Sequence, residues 1–524
     1  MRSLRVLKNV ITNYLRFFLG AVIAFALTPF MVHVMGDRDY GLWITVFSLT
    51  GYFGLFDQGI RPSLVRYVSR EHAAGDHDAL ARTISSAFAL YSSVGVVTMA
   101  VAVVVAMNAS SWIRVDPALH AIAPTLVLLV GASIALGFPL GVYGAVLSGL
   151  QRYDVANGIG MVIGVVRAFA FVAVLKLGGG LVELAWMSLV MNLIGHAWSW
   201  VAARRLLPGL PFGLHLVGRA HVRRIASYGG WAFIGALATN VAFQTDALVI
   251  TSFLGAALVT PFALAAGLID NSRSLVHSAV WVLSPTASEM ETLGEGDKLR
   301  ALMVAGSKYS VLLAWPVLIG LMIFGGNLLT TWVGPSYASA SLLIIILAIP
   351  TLVALPQATA SSVLFGISRH KGIVILSLLA AVLNLGLSIW WAQDVRWMAA
   401  LFGTVVDPGL VGVAMATAIP LLLLSGIATA IFACHAIAQP LPDYLWRGLL
   451  RPGLVSLAFV PPAILAQRVW HPIGWGPIIL ACGLSWVVFA FVAFHWGMDA
   501  AERSRWARMF IALFGRTPRT EGDS

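Results

Sequence analysis

Charged residues are scarce in this sequence. Asp, Glu, Lys and Arg make up only 10% of its 524 residues, whereas a soluble domain carries roughly 25%. Hydrophobic residues make up 59%, and the mean hydropathy is +0.88. Because so little charge cannot cover the surface of a globular protein in water, a soluble fold is excluded.

Cysteines and catalytic motifs are also scarce. The two cysteines, Cys434 and Cys482, lie in apolar stretches, which excludes a disulfide framework, and no cysteine–histidine spacing typical of a metal site occurs. The sequence contains no Walker A motif, so we expect no ATP hydrolysis by this chain. The polar segments hold no concentrated acid–base constellation. We therefore predict that the protein is not an enzyme and has no metal site and no cofactor.

Long apolar runs recur from end to end of the chain. In a helix, about 20 apolar residues cross about 30 Å of hydrocarbon. The runs are longer than barrel strands and lack two-residue alternation, so helices are favoured. We predict an all-α polytopic membrane protein with about fourteen transmembrane helices. The predicted spans are 9–35, 40–60, 83–108, 119–148, 155–177, 181–203, 229–253, 257–280, 308–331, 339–365, 372–393, 407–435, 446–467 and 473–497.

Lys and Arg are distributed unequally between the predicted loops. With the N-terminus in the cytoplasm, the cytoplasmic loops and ends carry about 25 basic residues and the outer loops about 5. The positive-inside rule explains this asymmetry, so the net charge of +11 requires no nucleic-acid partner. We predict that both termini are cytoplasmic.

Two stretches of the chain, about 219 residues apart, have the same layout. At this offset Gly36 pairs with Gly255, Gly75 with Gly294, Asp78 with Asp297 and Leu80 with Leu299. Each copy would hold six spans, and an even repeat keeps its orientation in the membrane. We predict two six-helix bundles, residues 1–204 and 229–435, related by a parallel repeat. A basic cytoplasmic connector, two additional helices and a basic, then polar, cytoplasmic tail complete the chain at residues 205–228, 436–498 and 499–524.

The stretch from Tyr40 to Ser69, YGLWITVFSLTGYFGLFDQGIRPSLVRYVS, resembles the polysaccharide-transporter (Wzx-type) family of the multidrug/oligosaccharidyl-lipid/polysaccharide (MOP) exporter superfamily. The matching features are Gly36, the YGLW motif, the Asp57-Gln58-Gly59 element and the basic run after it. The stretch from Gln244 to Gly255, QTDALVITSFLG, is similar to the family's second half. The specific resemblance is confined to roughly residues 9–80 and 228–299, although the layout matches over most of the chain.

This resemblance implies a fold of the MATE and MurJ type and a transport function. The substrate would be an undecaprenyl-pyrophosphate-linked oligosaccharide, flipped or exported across the bacterial inner membrane by alternating access between two bundles. Such transport serves the biosynthesis of surface polysaccharide: O-antigen, capsule or exopolysaccharide. A polysaccharide polymerase and glycosyltransferases would be partners, together with membrane lipids. A MATE-type cation or drug antiporter is the first alternative, and a membrane glycosyltransferase or ligase is the second.

Ionisable and amide side chains inside the predicted spans are the candidate site residues, because charge at mid-membrane is costly to keep. Arginine binds phosphate through two parallel hydrogen bonds, which suits a pyrophosphate. The resemblance to MurJ-type lipid II flippases, which place cavity arginines on their first and eighth helices, favours Arg16 and Arg273. The predicted substrate-binding residues of a central cavity are Arg16, Arg273, Arg167, Asn240 and Gln244.

Three further residues are candidates for coupling to an H⁺ or Na⁺ gradient or for simple counter-charge: Asp246, Asp270 and His277. Structural explanations remain open for several candidates. Asp270 lies three residues before Arg273, so the two could form a packing pair within one helix. Arg16 could extend to the membrane interface. Asp57 precedes a Gln-Gly pair at a span end, and we assign it a structural or gating role.

Overall fold

The computed structural model describes residues 2–53, 55–112, 121–280, 283–393, 406–500 and 502–504. Side chains are not described for residues 2–11, 49–50, 53, 55–56, 58–59, 109–112 and 227–243. All regular structure in these ranges is helical. The helices are α1 Arg2–Phe53, α2 Leu55–Ala74, α3 His77–Trp112, α4 Ala123–Gly149, α5 Tyr153–Lys176, α6 Leu181–Leu206, α7 Arg219–Phe253, α8 Val259–Val280, α9 Leu283–Thr292, α10 Gly296–Trp332, α11 Ser341–Ala354, α12 Gln357–Gly366, α13 Lys371–Gln393, α14 Pro408–Ala436, α15 Leu441–Trp470 and α16 Trp475–Gly497.

Eleven helical segments in the described ranges are long and apolar enough to cross a membrane. One of them, Thr12–Ser48, contains most of the first predicted span and the beginning of the second, because α1 includes the helical segments on both sides of a kink at Gly36. Two more predicted spans, 229–253 and 257–280, coincide with α7 and α8, which fall outside the eleven. Each of the fourteen predicted spans therefore coincides with helical structure, and the chain is an all-α polytopic membrane protein.

Large apolar side chains on these helices face outwards. Met107, Phe169 and Val487 are 77%, 72% and 67% exposed within the protein. Such exposure is expected of helices that contact lipid, because hydrocarbon chains surround an apolar side chain without the penalty that water would impose.

The predicted repeat is visible in the backbone. Gly75 and Gly294 both have φ of +70°, and Gly36 and Gly255, at +77° and +108°, both depart from helical geometry with positive φ. After α2, the Gly75 and Asp76 amides donate to the His72 and Glu71 carbonyls. After α9, the corresponding amides of Gly294 and Glu295 donate to the Glu291 and Met290 carbonyls. The same turn therefore follows α2 in the first copy and α9 in the second.

A second turn also recurs, and the sequence did not reveal it. Gln151 after α4 and Ser368 after α12 have φ of +56° and +58°, although neither is a glycine. The amide of Arg152 donates to the Leu147 carbonyl, and that of Arg369 to the Leu364 carbonyl. These residues are 217 rather than 219 positions apart, so the two copies differ in length before this turn.

The described residues form two compact units, and each has its own core. The first unit comprises Met1–Ala266 and Val374–Pro420, and the second comprises Gly267–Ile373 and the residues from Leu421 onwards. In the first unit Leu64, Leu80 and Tyr91 are almost fully buried in one cluster. In the second, Met303 and Tyr444 belong to one cluster and Phe459 to another. Packing rather than repetition defines these units, so the predicted bundle boundaries stay a prediction.

The predicted connector 205–228 is partly helical. Helix α6 ends at Leu206 and α7 begins at Arg219, before the predicted start of the seventh span at residue 229. Arg224, in the first turns of α7, forms an ion pair with the buried Glu71 of α2, and its guanidinium lies 4.0 Å from the Tyr67 ring. The basic run at the start of α7 therefore packs against α2. Of the predicted tail, residues 505–524 lie outside the described ranges.

Candidate functional site

Arg16 on α1 is held by a neutral amide on α5. Its Nη1 donates to Asn157 Oδ1 over 3.3 Å, and Asn157 Nδ2 donates to Asn13 Oδ1 over 2.7 Å. The Asn157 side chain is buried, with 3% exposure. Among the described ion pairs, none involves Arg16. Within the described part of the chain, the guanidinium is therefore held by a neutral amide rather than by a carboxylate.

The Arg16 side chain also lies directly against the backbone of α5. A Cβ placed on Gly160 would be 3.0 Å from Arg16 Nε and 3.1 Å from Cζ, which is too close for an unstrained contact. The absence of a side chain at this position is therefore what lets the guanidinium approach α5. The sequence predicted Arg16 as a site residue but gave no indication of Asn157 or Gly160.

A second group of charges lies on neighbouring helices of the same unit. Arg61 Nη1 on α2 is 3.5 Å from Asp57 Oδ2, and Tyr91 OH on α3 donates to Asp57 Oδ1 over 2.7 Å. Arg61 and His196 of α6 both approach the same face of α4. Asp57 thus ties α2 to α3. From the sequence, Arg61 was expected only to be one of the basic residues that set the topology. The structure adds it to the candidate site.

Three glycines give this group access to the backbone of α4. A Cβ at Gly137 would be 3.3 Å from His196 Nε2, one at Gly141 would be 3.8 Å from Cε1, and one at Gly144 would be 3.9 Å from Arg61 Nη2. The three glycines are spaced at i, i+4 and i+7, so they share a helix face. Imidazole and guanidinium groups therefore line a face of α4 that lacks side chains.

Arg167, predicted as a substrate ligand, takes part in a polar chain across three helices. Its Nη2 on α5 donates to Asn192 Oδ1 on α6 over 2.9 Å, and Asn192 Nδ2 donates to Ser133 Oγ on α4 over 2.8 Å. Arg167 Nε is buried and meets no acceptor among the described residues. This guanidinium therefore keeps an unused donor within the first unit.

Arg273 and Asp270 form an ion pair within α8, in the second unit. Arg273 Nη1 lies 3.3 Å from Asp270 Oδ1, and the carboxylate side chain is 57% exposed against 18% for the guanidinium. His277, one turn further on, is exposed. Asp270 thus acts as a counter-charge to Arg273 in this structure.

Asp246 on α7 has a different environment. It is 5% exposed, and Thr417 Oγ1 of α14 donates to its Oδ2 over 2.8 Å. Asn384 Nδ2 of α13 donates to Thr417 Oγ1 over 2.8 Å. Asn384 Oδ1 and Ser388 Oγ, one turn apart on α13, are buried without a hydrogen-bond donor among the described residues. The Thr417 hydroxyl of α14 thus links the buried Asp246 carboxylate of α7 to the Asn384 amide of α13.

This oxygen-rich group suits a hard cation. Na⁺, Mg²⁺ and Ca²⁺ prefer carboxylate, amide and hydroxyl oxygens, whereas zinc and copper sites use histidine and cysteine. In the described part of the chain no group of three or more His, Cys, Asp or Glu side chains could hold a metal ion. Asp246 was predicted from the sequence, but Asn384, Ser388 and Thr417 were not, because uncharged polar residues are common in membrane helices.

The two predicted amides, Gln244 and Asn240, both belong to α7. Gln244 is half-buried and lies two residues before Asp246, which points it to a different face of α7. Asn240 lies on the same helix, but its side chain is outside the described side chains. Both residues remain predicted substrate ligands.

Comparison with known proteins assigns the chain to a family. The model of the polysaccharide biosynthesis protein family matches residues 6–291. An uncharacterized membrane protein, EpsK, of Bacillus subtilis (strain 168) is 22% identical over 518 residues, which cover 97% of this chain and 98% of that protein. A putative O-antigen transporter of Shigella flexneri is 20% identical over 341 residues, covering 63% of this chain and 78% of its own length.

Solved structures share the fold. The lipid II flippase MurJ in an inward closed conformation matches with a TM-score of 0.66 at 12% identity, covering 93% of this chain and 98% of that one. An inward-facing multidrug resistance MATE family transporter of the MOP superfamily matches with a TM-score of 0.61 at 16% identity, covering 82% and 95%. Sequence family and fold agree: the chain has the fold of these two transporters and belongs to the polysaccharide biosynthesis protein family.

Proposed function

We propose that this protein is a flippase that moves undecaprenyl-pyrophosphate-linked oligosaccharide across the bacterial inner membrane by alternating access. The product would enter the biosynthesis of O-antigen, capsule or exopolysaccharide. Membership of a polysaccharide biosynthesis family supports this function, as does the similarity to a putative O-antigen transporter. A fold shared with a lipid II flippase is consistent with it.

The positively charged group around Arg16 is the observation that carries the proposal. Arg16 and Arg61 both lie in the first unit, and of the two only Arg61 has a carboxylate partner, Asp57, among the described residues. A pyrophosphate carries negative charge and oxygen acceptors, which guanidinium groups bind by paired hydrogen bonds. The bare face of α4 would let sugar or phosphate oxygens approach the backbone closely. A cation antiporter would instead require acidic groups that lack a basic partner at this position.

We further propose that Asp246 binds the coupling ion. Asp270 is exposed and paired with Arg273, whereas Asp246 is buried and accepts a hydrogen bond from Thr417, which in turn accepts one from Asn384. An oxygen-lined site of this kind fits Na⁺ better than a proton, because a proton needs only the carboxylate. Binding of the ion would change the interactions between α7, α13 and α14, and this change would be linked to the movement of substrate.

The flippase proposal is tested in proteoliposomes that carry polyprenyl-pyrophosphate oligosaccharide in one leaflet, with a glycosidase outside. We expect protein-dependent cleavage, strongly reduced in Arg16→Ala and Arg273→Ala. Arg16→Lys should be intermediate, since lysine keeps the charge but not the paired donors. Arg205→Ala, which removes an exposed arginine at the end of α6, is the matched control. Crossing that survives both arginine variants would refute their role, and no crossing with any glycan would favour the cation antiporter.

The ion proposal is tested in the same vesicles with a Na⁺ or an H⁺ gradient imposed separately. We expect Na⁺-driven crossing in the native protein and loss of this dependence in Asp246→Asn, while Asp270→Asn retains it. Crossing that follows the H⁺ gradient would refute Na⁺ coupling. Loss in Asp270→Asn with retention in Asp246→Asn would assign the ion to the other carboxylate.

Topology and partners complete the proposal. Both termini would lie in the cytoplasm, as the distribution of Lys and Arg indicates. A polysaccharide polymerase would receive the flipped substrate outside, and glycosyltransferases would supply it inside.

A further inference from the structure

A cavity of about 520 Å³ lies in the second compact unit, away from the residues discussed above. The beginning of α10, the beginning of α15 and the residues that follow α16 form its walls. Its volume is within the range of about 300–1,000 Å³ that is typical of small-molecule sites. Its walls include the ends of helices on the predicted cytoplasmic side, where the headgroups of the inner leaflet would lie.

The walls of this cavity carry equal numbers of positive and negative side chains. Four cations face four carboxylates, in the pairs Arg300–Asp297, Arg447–Asp443, Arg451–Asp499 and Lys308–Glu502. The cavity is therefore strongly polar but has no net charge. A ligand that carries only one sign of charge would leave half of these groups without a favourable interaction.

The ion pairs differ in the distance between their charged atoms and in the exposure of their side chains. Lys308 Nζ lies 2.6 Å from Glu502 Oε2, and their side chains are only 12% and 17% exposed. At the rim, Arg451 Nη1 is 3.7 Å from Asp499 Oδ1, and Arg447 is 68% exposed. Exposed ion pairs contribute little to the stability of a protein. An arginine or carboxylate at the rim can therefore exchange its partner for a ligand group with little loss of free energy. The rim arginines and carboxylates are therefore available to a ligand, whereas the deeper pair is structural.

An exposed apolar stripe lies beside the rim. Trp446, Leu450 and Leu454 follow one another at four-residue intervals on α15 and are 53%, 53% and 60% exposed. Each of the first two immediately precedes a rim arginine, Arg447 or Arg451. A molecule bound at the rim would thus continue along an apolar helix surface, as an amphiphile does.

We propose that this cavity binds the headgroup of a membrane phospholipid that carries both a phosphate and an amine, as phosphatidylethanolamine does. Arg447 and Arg451 hold the phosphate, since guanidinium and phosphate form paired hydrogen bonds. Asp443 and Asp499 accept hydrogen bonds from the ammonium group. The acyl chains lie along Trp446, Leu450 and Leu454. This lipid site does not depend on the transported substrate, so its experimental test is independent of the test of the flippase function.

The test measures lipid retention by the delipidated full-length protein with native mass spectrometry. Phosphatidylethanolamine, phosphatidylglycerol and soluble glycerophosphoethanolamine are offered separately at equal concentration. We expect at least one tightly retained phosphatidylethanolamine, about tenfold more than phosphatidylglycerol. Retention should be lost in the double variant Arg447→Gln/Arg451→Gln. Asp443→Asn should lower the retention of phosphatidylethanolamine and raise that of phosphatidylglycerol, because it removes a negative charge that attracts the ammonium group and leaves Arg447 without its carboxylate partner.

The matched control is the double variant Arg205→Gln/Lys298→Gln, which removes the same charge from exposed positions outside the cavity. It should retain the lipid like the native protein. Equal loss in this control, or no loss in Arg447→Gln/Arg451→Gln, overturns the site. Equal retention of both lipids overturns the role of the amine, and equally tight binding of glycerophosphoethanolamine shows that the ligand is a soluble phosphate ester rather than a lipid.

Discussion

Single residues decide how charge is used inside this membrane protein. The two carboxylates Asp246 and Asp270 illustrate this. Asp270 is exposed and neutralises Arg273 three residues away, whereas Asp246 is buried and is hydrogen-bonded by Thr417. The same contrast separates the arginines. Arg273 has a carboxylate partner, whereas in the described part of the chain Arg16 is held by the neutral amide of Asn157.

At the residue scale we predict that Gly160→Ala impairs transport without destabilising the protein. The new methyl group would meet Arg16 Nε at 3.0 Å, so the guanidinium must move away from α5. Displacement of a ligand-binding group by about 1 Å can lower a rate up to about a hundredfold, and we expect about tenfold here. Alanine in a helix should raise the free energy of unfolding by about 0.5–1 kcal/mol.

Flipping rates in vesicles and thermal unfolding of the purified variant provide the measurements. Gly158→Ala, two residues earlier on the same helix, is the control, because a Cβ there meets nothing within 4 Å. Equal rates for the two variants would mean that the contact between Arg16 and α5 has no functional role.

At the scale of helices and turns, duplication is recorded in backbone conformation more clearly than in residue identity. The two copies share few residues, yet equivalent glycines adopt the same left-handed conformation and equivalent amides close the same turns. A glycine at such a position is retained because a side chain would clash with its own backbone. The turn after α4 uses Gln151 and that after α12 uses Ser368, so a comparison based on glycines could not find this turn.

We predict that Gly75→Ala and Gly294→Ala destabilise the protein to a similar extent. Both residues have φ of +70°, a conformation that costs an alanine roughly 1–2 kcal/mol. Thermal unfolding in detergent gives the comparison, with Gly476→Ala as the control, because Gly476 lacks positive φ and has open space at its Cβ position. A loss of stability in only one of the two variants would contradict the structural equivalence of the two turns.

At the scale of the whole molecule, contacts between distant parts of the chain hold the residues that follow α16 against the beginning of α10. Glu502 accepts hydrogen bonds from Lys308 Nζ and Tyr309 OH at the beginning of α10, over 2.6 and 3.1 Å. Partial burial disfavours the ionised carboxyl, but the hydrogen bonds from Lys308 and from the Asp499 amide outweigh this and hold the pKa of Glu502 below its usual value. The ionised form is therefore more stable in the folded protein than in the unfolded chain.

This lowered pKa predicts a pH-dependent effect of Glu502→Gln. The stabilisation from Glu502 is fully present above the pKa of an unperturbed glutamate, 4.5, and is lost as pH falls through the lower pKa of the folded state. At neutral pH we expect the substitution to lower the free energy of unfolding by about 1–3 kcal/mol. Thermal unfolding of both proteins from pH 7 downwards measures the difference, which should vanish in acid. A difference that persists unchanged at the lowest pH would exclude ionisation as its cause.

The sequence by itself determined the class of the protein and much of its layout. Scarcity of charge and the length of the apolar runs require membrane helices, because lipid leaves backbone polar groups no partner outside their own segment. Repeated glycines at one offset revealed the duplication, and the rarity of charge inside spans identified Arg16, Arg167, Asp246 and Arg273 as candidates.

Only the tertiary structure decided which neighbours these candidates use. Asn157 and Gly160 position Arg16, and Thr417 and Asn384 form a hydrogen-bonded chain to Asp246, although none of them stands out in the sequence. The physical reason is distance along the chain. A charge in a membrane helix is visible in one segment, whereas the partners of Arg16 and Asp246 come from helices more than a hundred residues away. Only packing brings those side chains within hydrogen-bond reach.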